Sequence, residues 1–203
     1  MIMMLSLTLL NSMETTMIND FNITQLIERD NLQKHEEGGY FAVTYVSEKK
    51  VSLPSYAGGE RPESTKINYL LNTNDYSAWH RLKSDEIWRF KAGTSLTLNI
   101  INPQGKLEQI KIGNHDIQPD TVNEFKVNKN QWFSAFVTDK SSFSYVECEV
   151  RPGFDYRDWQ LAKKEYLIKQ YPQYTQIIEK YSRDIPANLS EIEPTEELSN
   201  MKI

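Results

Sequence analysis

Residues 77–93, SAWHRLKSDEIWRFKAG, decide the fold of this chain. Within them SAWHRL (77–82) and EIWRFKA (86–92) are short runs rich in aromatic and aliphatic residues, which is typical of β-strands. Side chains alternate between the two faces of a strand, so the even separation of His80 and Glu86 can aim both groups at one side. The neighbouring Trp79 and Trp88 add aromatic surface. The stretch therefore predicts strands that carry an imidazole and a carboxyl into an aromatic-lined cavity.

Short strand-like runs continue on both sides of this stretch. They are YFAVTYV (40–46), TKINYLL (65–71), SLTLNII (95–101), KLEQIKI (106–112), EFKV (124–127), WFSAFVT (132–138) and FSYVECEV (143–150). Turn signals such as NTND (72–75) and NPQG (102–105) separate them. Many short strands with little helix between them predict an all-β sandwich or barrel, and about eight strands suffice for a jelly roll that encloses one small ligand.

The rest of the chain predicts short flanking helices and two tails. Apolar spacing favours a helix within 22–32, a second over 158–171 and a further turn or two over 174–182. We therefore divide the chain into a leader (1–20), a barrel domain (21–160), a helical segment (161–182) and an acidic mobile tail (183–203). The apolar N-terminus lacks the Lys or Arg of a secretory signal, which leaves a signal peptide, a disordered leader or a start placed too early as alternatives.

Composition excludes several classes of function. A net charge of -5 and the lack of a Lys/Arg block argue against nucleic-acid binding. No run is long and apolar enough to cross a membrane, and we expect a cytoplasmic protein. The single cysteine, Cys148, cannot form an internal disulfide, and its strand position suits a buried apolar residue. Motifs for nucleotide-binding loops, zinc proteases and serine hydrolases are missing from the sequence.

Four blocks of the sequence together carry a family likeness. They are HEEGGYFAVTY (35–45), ESTKINYLL (63–71), SAWHRLKSDEIWRFKAG (77–93) and VECEVRPGFDYRDWQL (146–161). Over about residues 24–162 the chain resembles the Cupin_5 (DUF985) family of the cupin superfamily. The resemblance implies a double-stranded β-helix jelly roll, known as a cupin barrel, and a ligand pocket in the barrel mouth. It also implies a homodimer. It does not indicate a particular activity, because none is established for the family.

The general cupin pattern places metal ligands at positions that this chain fills only in part. His80, Glu86 and Gly93 fit the pattern, while the second histidine position holds Leu82. The histidine of the later cupin block falls on Phe133. Since stable sites use three or four protein ligands, we expect no cofactor, and His80 with Glu86 form at most a weak site for a divalent metal.

Candidate site residues follow from strand alternation and from the resemblance. We predict His80 as a general base, Glu86 as the group that orients it and Tyr69 as the acid that returns the proton. The ligand-binding candidates are Tyr40, Ser64, Thr65, Trp88, Phe90 and Trp132. Each has a structural alternative: the aromatic residues as core packing, the hydroxyls as loop caps, and His80 with Glu86 as groups that only satisfy hydrogen bonds.

Three functions remain open from the sequence. The first is binding of a small polar molecule in the barrel, combined with metal-independent isomerase or epimerase chemistry, by analogy with jelly-roll sugar epimerases. The second is ligand binding without catalysis. The third is a metal-dependent cupin oxygenase. All three expect a small-molecule ligand and no nucleic-acid or membrane partner.

Overall fold

Antiparallel strands form nearly all of the regular structure in the computed structural model, which describes residues 22–53, 59–139 and 142–184. The first half contains α1 (Ile23–Arg29), β1 (Gln33–Lys34), β2 (Tyr40–Val46), β3 (Lys50–Ser52), β4 (Glu60–Pro62), β5 (Thr65–Leu71), β6 (Tyr76–Leu82) and β7 (Asp85–Gly93). The second half contains β8 (Leu96–Ile101), β9 (Leu107–Ile112), β10 (Glu124–Val127), β11 (Trp132–Val137), β12 (Ser144–Arg151), β13 (Trp159–Leu161), α2 (Lys164–Gln170), a 3₁₀ turn (Pro172–Tyr174) and α3 (Thr175–Lys180).

The strands form two main sheets whose order alternates along the chain. One sheet has the order β1-β2-β5-β12-β7-β10, the other β13-β6-β11-β8-β9, and β3 pairs with β4 in a separate ribbon. Neighbouring strands are antiparallel, and successive strands such as β6 and β7 lie in different sheets. This alternation between two facing sheets is the jelly roll, which confirms the predicted all-β fold.

Apolar side chains from both sheets meet in the interior. Leu98, Phe133 and Val137 of one sheet belong to the same buried cluster as Val146 and Trp88 of the other. Because burial of apolar area is the main source of stability, this cluster fixes how the sheets face one another. Tyr69, Trp88 and Cys148 of this cluster also line a cavity between the sheets.

The helices cover the outer faces of the sheets. Leu26 of α1 packs against Leu70 and Tyr145 on the outside of the larger sheet. Leu167 of α2 and Ile178 of α3 pack with residues of the smaller sheet. None of the helices in the described residues combines the length and apolar character needed to cross a lipid bilayer.

The predicted elements agree with the structure apart from the limits of one helix and several very short strands. The helix expected over 158–171 begins only at Lys164, because Trp159–Leu161 pair with β6 as the edge strand β13. The short strands β1, β3 and β4 are not apparent in the sequence pattern. The leader predicted for residues 1–20 lies outside the described residues, as does nearly all of the predicted tail.

Candidate functional site

A cavity of about 300 Å³ opens between the inner faces of the barrel. Its volume is at the lower end of the range for small-molecule pockets. Apolar side chains form most of the wall, and Val43 and Val46 at the mouth are 60% and 53% exposed. The polar side chains that line the cavity are His35, Glu37, Thr65, His80 and Glu86.

The HEEGG turn between β1 and β2 delivers Glu37 to this cavity. Gly38 and Gly39 have φ of +112° and +68°, backbone angles that residues other than glycine adopt only with strain. A Cβ on Gly38 would stand 2.1 Å from the carbonyl oxygen of Tyr76. The Tyr69 hydroxyl donates to the Gly38 carbonyl at 2.7 Å and so holds the turn against the barrel interior.

The carboxylate of Glu37 is buried, and both of its oxygens accept hydrogen bonds from protein side chains. Its Oε1 accepts a hydrogen bond from the Ser77 hydroxyl at 2.8 Å, and its Oε2 accepts one from the Trp159 indole N–H at 3.1 Å. The same Oε2 lies 3.3 Å from Nε2 of His80 and 3.7 Å from Nδ1 of His35. Glu37 therefore joins the turn, β6 and β13 through one anionic group.

His80 projects from β6 with one nitrogen committed to the backbone. Its Nδ1 lies 2.7 Å from the carbonyl oxygen of Ala78, and since a carbonyl only accepts, Nδ1 carries a proton. In the neutral ring Nε2 is then an acceptor, and a proton added there would be paired with Glu37. The ring contacts Phe133, with 4.0 Å between centroids.

Glu86 is the second carboxyl of the cavity and has a different environment. It is 7% exposed, and its Oε2 has no hydrogen-bond partner among the described residues. The indole N–H of Trp88, on the same face of β7, is likewise buried without a partner of normal hydrogen-bond geometry in the described structure. Both groups line the cavity.

These environments push the pKa values of the two carboxyls apart. Burial, followed by the negative charge of Glu37, raises the pKa of Glu86 to about 8, and the nearby Trp88 indole offsets part of the rise. Burial alone would raise the pKa of Glu37 too, but His80, His35 and the hydrogen bonds from Ser77 and Trp159 hold it below its ordinary value. Near neutral pH the cavity therefore contains one ionised and one protonated carboxyl.

Burial also sets the state of the other titratable groups in the wall. It lowers the pKa of His80, although the charge of Glu37 and the bond to Ala78 oppose the shift, so the neutral imidazole is favoured. Burial and the charge of Glu37 raise the pKa of Tyr69 well above its ordinary value. Because the Tyr69 hydroxyl also donates to Gly38, the structure gives it a positioning role in the turn, unlike the acid role we predicted.

The structure brings only some of the predicted site residues together. His80, Glu86, Tyr69, Thr65 and Trp88 line the cavity. His80 and Glu86 both line the cavity, but the carboxylate beside the His80 ring is that of Glu37, whose Oε2 lies 3.3 Å from Nε2.

Four predicted ligand-binding residues are not among those that line the cavity, which corrects their assignment. Tyr40 packs beside α1, because its neighbours Phe41 and Val43 take the inner face of β2. Ser64 precedes β5 by one position, so Thr65 takes the inner face. The other two lie elsewhere: Phe90 packs in the core beyond the cavity, and Trp132 points outward against the helical segment with the Arg81 guanidinium 4.5 Å above its ring.

Sequence reasoning missed the residue at the centre of the site. Glu37 was not among the predicted site residues, yet its carboxylate accepts hydrogen bonds from side chains of two other elements. The signal was available in the sequence, since paired glycines after an acidic residue indicate a tight turn that can fold the carboxyl inward. The role of Trp159 was missed because its segment was assigned to a helix.

Arg183 was also missed, since we placed it in a mobile tail. Its Nε donates to the Glu37 carbonyl at 3.0 Å and its Nη2 to the Tyr76 carbonyl at 3.1 Å, while the guanidinium pairs with Asp75. Asp75 in turn accepts from the Gly39 N–H at 2.8 Å. The first residue of the predicted tail thus fastens the turn that carries Glu37.

The side chains of the cavity do not fit the metal site of the general cupin pattern. Leu82 lines the wall where the pattern has a histidine, and Phe133 occupies the other missing ligand position. Within residues 22–53, 59–139 and 142–184, no group of three or more His, Cys, Asp and Glu side chains is arranged to hold a metal ion. The expectation that no cofactor is needed stays a prediction.

Comparison with known proteins agrees with this architecture. The structure of a hypothetical protein from Leishmania major superposes on this chain with a TM-score of 0.73 at 28% identity. The superposition covers 81% of this chain and 100% of that one. Protein SO0799 from Shewanella oneidensis gives a TM-score of 0.72 at 36% identity, with 80% and 98% covered. The uncharacterized protein YML079W of Saccharomyces cerevisiae is 27% identical over 160 residues, which are 73% of this chain and 79% of the yeast protein.

Family membership follows from a match over most of the chain. Residues 24–162 match the family Cupin_5, whose description is cupin superfamily (DUF985). The match covers the strands that form the jelly roll, the HEEGG turn and every side chain described above as lining the cavity. The chain therefore belongs to the Cupin_5 (DUF985) family of the cupin superfamily.

Proposed function

We propose that this protein binds one small, partly polar molecule in the barrel cavity and moves a proton on it, as a metal-independent isomerase. The proposal is supported by two carboxyls with different surroundings that line one cavity beside His80: Glu37 accepts hydrogen bonds from Ser77 and Trp159, while Oε2 of Glu86 has no partner among the described residues. Their pKa values are shifted in opposite directions. Titratable groups whose environments push their pKa values apart are the usual acid and base of a site.

Binding is supported by the shape and chemistry of the cavity. Its volume of about 300 Å³ admits a small organic molecule, and its walls are mainly apolar with a few convergent polar groups. Burial of apolar ligand surface would supply the affinity, and the polar groups would fix the orientation.

The proposed reaction step uses three side chains and no co-reactant. Nε2 of neutral His80 takes a proton from a carbon next to a ligand carbonyl, so the C–H bond breaks and its electron pair forms the C=C bond of an enol. Glu86 donates its proton to the carbonyl oxygen, and Glu37 stabilises the imidazolium. Return of the proton to another face or carbon, with Glu86 recovering its own, yields the isomer.

A second candidate function is ligand binding without catalysis. Glu37 already accepts hydrogen bonds from Ser77 and Trp159 and lies beside His80, and such a cluster can serve to hold three elements together. Buried ionic groups of this kind are retained in some proteins for structural specificity. The cavity would then bind its ligand while His80 remains chemically silent.

Native mass spectrometry tests the binding proposal. The purified protein is incubated with a small-molecule cell extract and sprayed intact, and we expect one bound small molecule per chain. Ile67→Trp fills the cavity wall and Val43→Trp its exposed mouth, so both are expected to lose the bound mass. Ile117→Trp, at a surface residue that is 78% exposed, is the matched control and should keep it. The proposal fails if wild type retains nothing, or if both cavity variants retain as much as the control.

Deuterium incorporation then separates the two candidate functions. The captured molecule is incubated with protein in heavy water, and an isomerase exchanges the carbon-bound hydrogen that it moves. His80→Gln is expected to slow the exchange by about 10²–10⁴-fold, the usual contribution of a general base, while the ligand remains bound. Wild-type protein that binds the molecule without any exchange supports the non-catalytic candidate.

A further inference from the structure

We infer that the ligand is an uncharged, mainly apolar molecule with one carbonyl group, whose oxygen docks between the Glu86 carboxyl and the Trp88 indole N–H. This inference rests on the proposed binding function and names the substrate class of the same cavity. It stands on the polar atoms without partners in the wall and on the charges that surround them.

The wall contains two neighbouring polar groups, the Glu86 carboxyl and the Trp88 indole N–H, that have no partner of normal hydrogen-bond geometry in the described structure. Oε2 of Glu86 and Nε1 of Trp88 are both buried and unpartnered among the described residues, and both side chains line the cavity from the inner face of β7. A protonated carboxyl donates through its O–H, and the indole donates through its N–H. A carbonyl oxygen has two lone pairs and can accept both bonds at once. A buried donor that makes no hydrogen bond costs free energy, so these donors favour a ligand that carries an acceptor.

The charges in the wall disfavour an anionic ligand. Neither lysine nor arginine is present among the described residues that line the cavity, and the imidazoles of His35 and His80 face Glu37. Arg61, beside the lining residue Pro62, is buried in an ion pair with Asp158. A phosphate or carboxylate group would therefore enter next to the negative charge of Glu37 without a counter-charge.

The apolar surface disfavours a polyol. The side chains around the few polar groups are apolar: they are Phe41, Val43, Val46, Ile67, Val150 and Phe154. A free sugar would bury several hydroxyls against these side chains without hydrogen bonds, which is unfavourable for each of them. A ligand with an apolar body and one polar group matches both the apolar side chains of the wall and its few polar groups.

Four probes of similar small size test the inference by isothermal titration calorimetry and ligand-observed NMR. They are acetophenone, ethylbenzene, benzoate and glucose. We expect acetophenone to bind about tenfold more tightly than ethylbenzene, since each of the two hydrogen bonds contributes a few-fold in affinity. Benzoate and glucose should not bind detectably at neutral pH.

Variants locate the source of the carbonyl preference. Glu86→Met removes one donor at similar volume, and Trp88→Phe removes the other while leaving extra space in the wall, so the preference for acetophenone over ethylbenzene should fall severalfold in each. Trp132→Phe makes the same change on the outer side of the barrel and should leave the preference intact. Circular dichroism and thermal unfolding show whether each variant is folded, and the wild-type probe series remains decisive if one is not.

The outcomes distinguish this inference from the proposed function. Equal binding of acetophenone and ethylbenzene, or binding of benzoate or glucose as tight as that of acetophenone, overturns the inference while binding itself survives. A preference that persists in both donor variants also overturns it. If none of the probes binds and native mass spectrometry also finds no ligand, the proposed function fails and the inference with it.

Discussion

Replacement of Glu86 by glutamine removes a carboxyl that the fold keeps protonated. Burial, together with the charge of Glu37, raises its pKa from 4.5 to about 8 in the folded protein. The folded state therefore binds this proton more tightly than the unfolded state. As the pH rises above 4.5 the unfolded chain loses the proton first, so wild-type stability falls with pH until Glu86 also ionises in the folded state near pH 8.

The size of the effect follows from the shift in pKa. Between about pH 5 and pH 9 the linkage amounts to nearly three pKa units, or roughly 4 kcal/mol of unfolding free energy at 1.36 kcal/mol per unit. Glu86→Gln cannot ionise and lacks this penalty. The variant should therefore gain stability relative to wild type by roughly that amount as the pH is raised across this range.

Urea unfolding of both proteins at several pH values measures the difference, because titrations common to the two chains cancel. Glu149→Gln is the matched control. Glu149 lies on the adjacent strand β12, and although burial opposes it, Arg89 and Arg151 hold its pKa below the ordinary value. Glu149 is then ionised in both folded and unfolded states above about pH 6, so its difference from wild type should stay flat.

A difference between wild type and Glu86→Gln that does not change with pH would refute the reasoning. So would a difference that shrinks as the pH rises, since that sign belongs to a carboxyl whose pKa the fold lowers. A pH-dependent difference of the same size for Glu149→Gln would trace the effect to the sheet and not to the cavity.

Three further predictions concern the turn and the assembly. Gly38→Ala should lower the unfolding free energy by at least about 2 kcal/mol in chemical denaturation, because it combines a positive φ with a steric clash against the Tyr76 carbonyl; a loss below about 0.5 kcal/mol would mean that the turn is not held as described. Arg183→Ala should cost about 1–2 kcal/mol through its bonds to the turn, whereas Arg157→Ala at an exposed ion pair should cost clearly less; equal losses would contradict the anchoring role. The homodimer that the family resemblance implies predicts sedimentation of a two-chain species at micromolar concentration, and a purely monomeric profile would refute it.

Much of the fold could be predicted because its signals are local. Alternation in TKINYLL (65–71) and EFKV (124–127) predicts strands whose limits agree with β5 and β10. Ser64 and Thr65 are adjacent and both were predicted to bind the ligand, but only Thr65 lines the cavity. Alternation along the strand therefore decides strictly which side chain enters the cavity. Strands of two or three residues, such as β1 and β13, carry too little pattern, and only tertiary pairing reveals them.

The site was harder to predict because its centre depends on contacts distant in sequence. His80 and Glu86 both line the cavity, as predicted, but they do so from β6 and β7 in facing sheets, so the even separation along one strand is not the reason. The partner of His80 comes instead from a turn that precedes it by more than forty residues, closed by two glycines and fastened by Arg183. No periodicity within one segment records such an arrangement. Trp132 and Phe90 failed as pocket residues because aromatic character does not distinguish a wall from a core.

The proposed chemistry depends on a protonated Glu86 beside an ionised Glu37 in one cavity. Carbon-13 NMR of protein labelled at glutamate carboxyls reports both protonation states, with Glu86→Gln and Glu37→Gln used to assign the two resonances. We expect the Glu86 carboxyl to titrate with a midpoint of about 8, whereas that of Glu37 remains ionised down to its ordinary pKa of 4.5 and below. Titration of Glu86 in the ordinary carboxyl range, or of Glu37 in its place near pH 8, would contradict it.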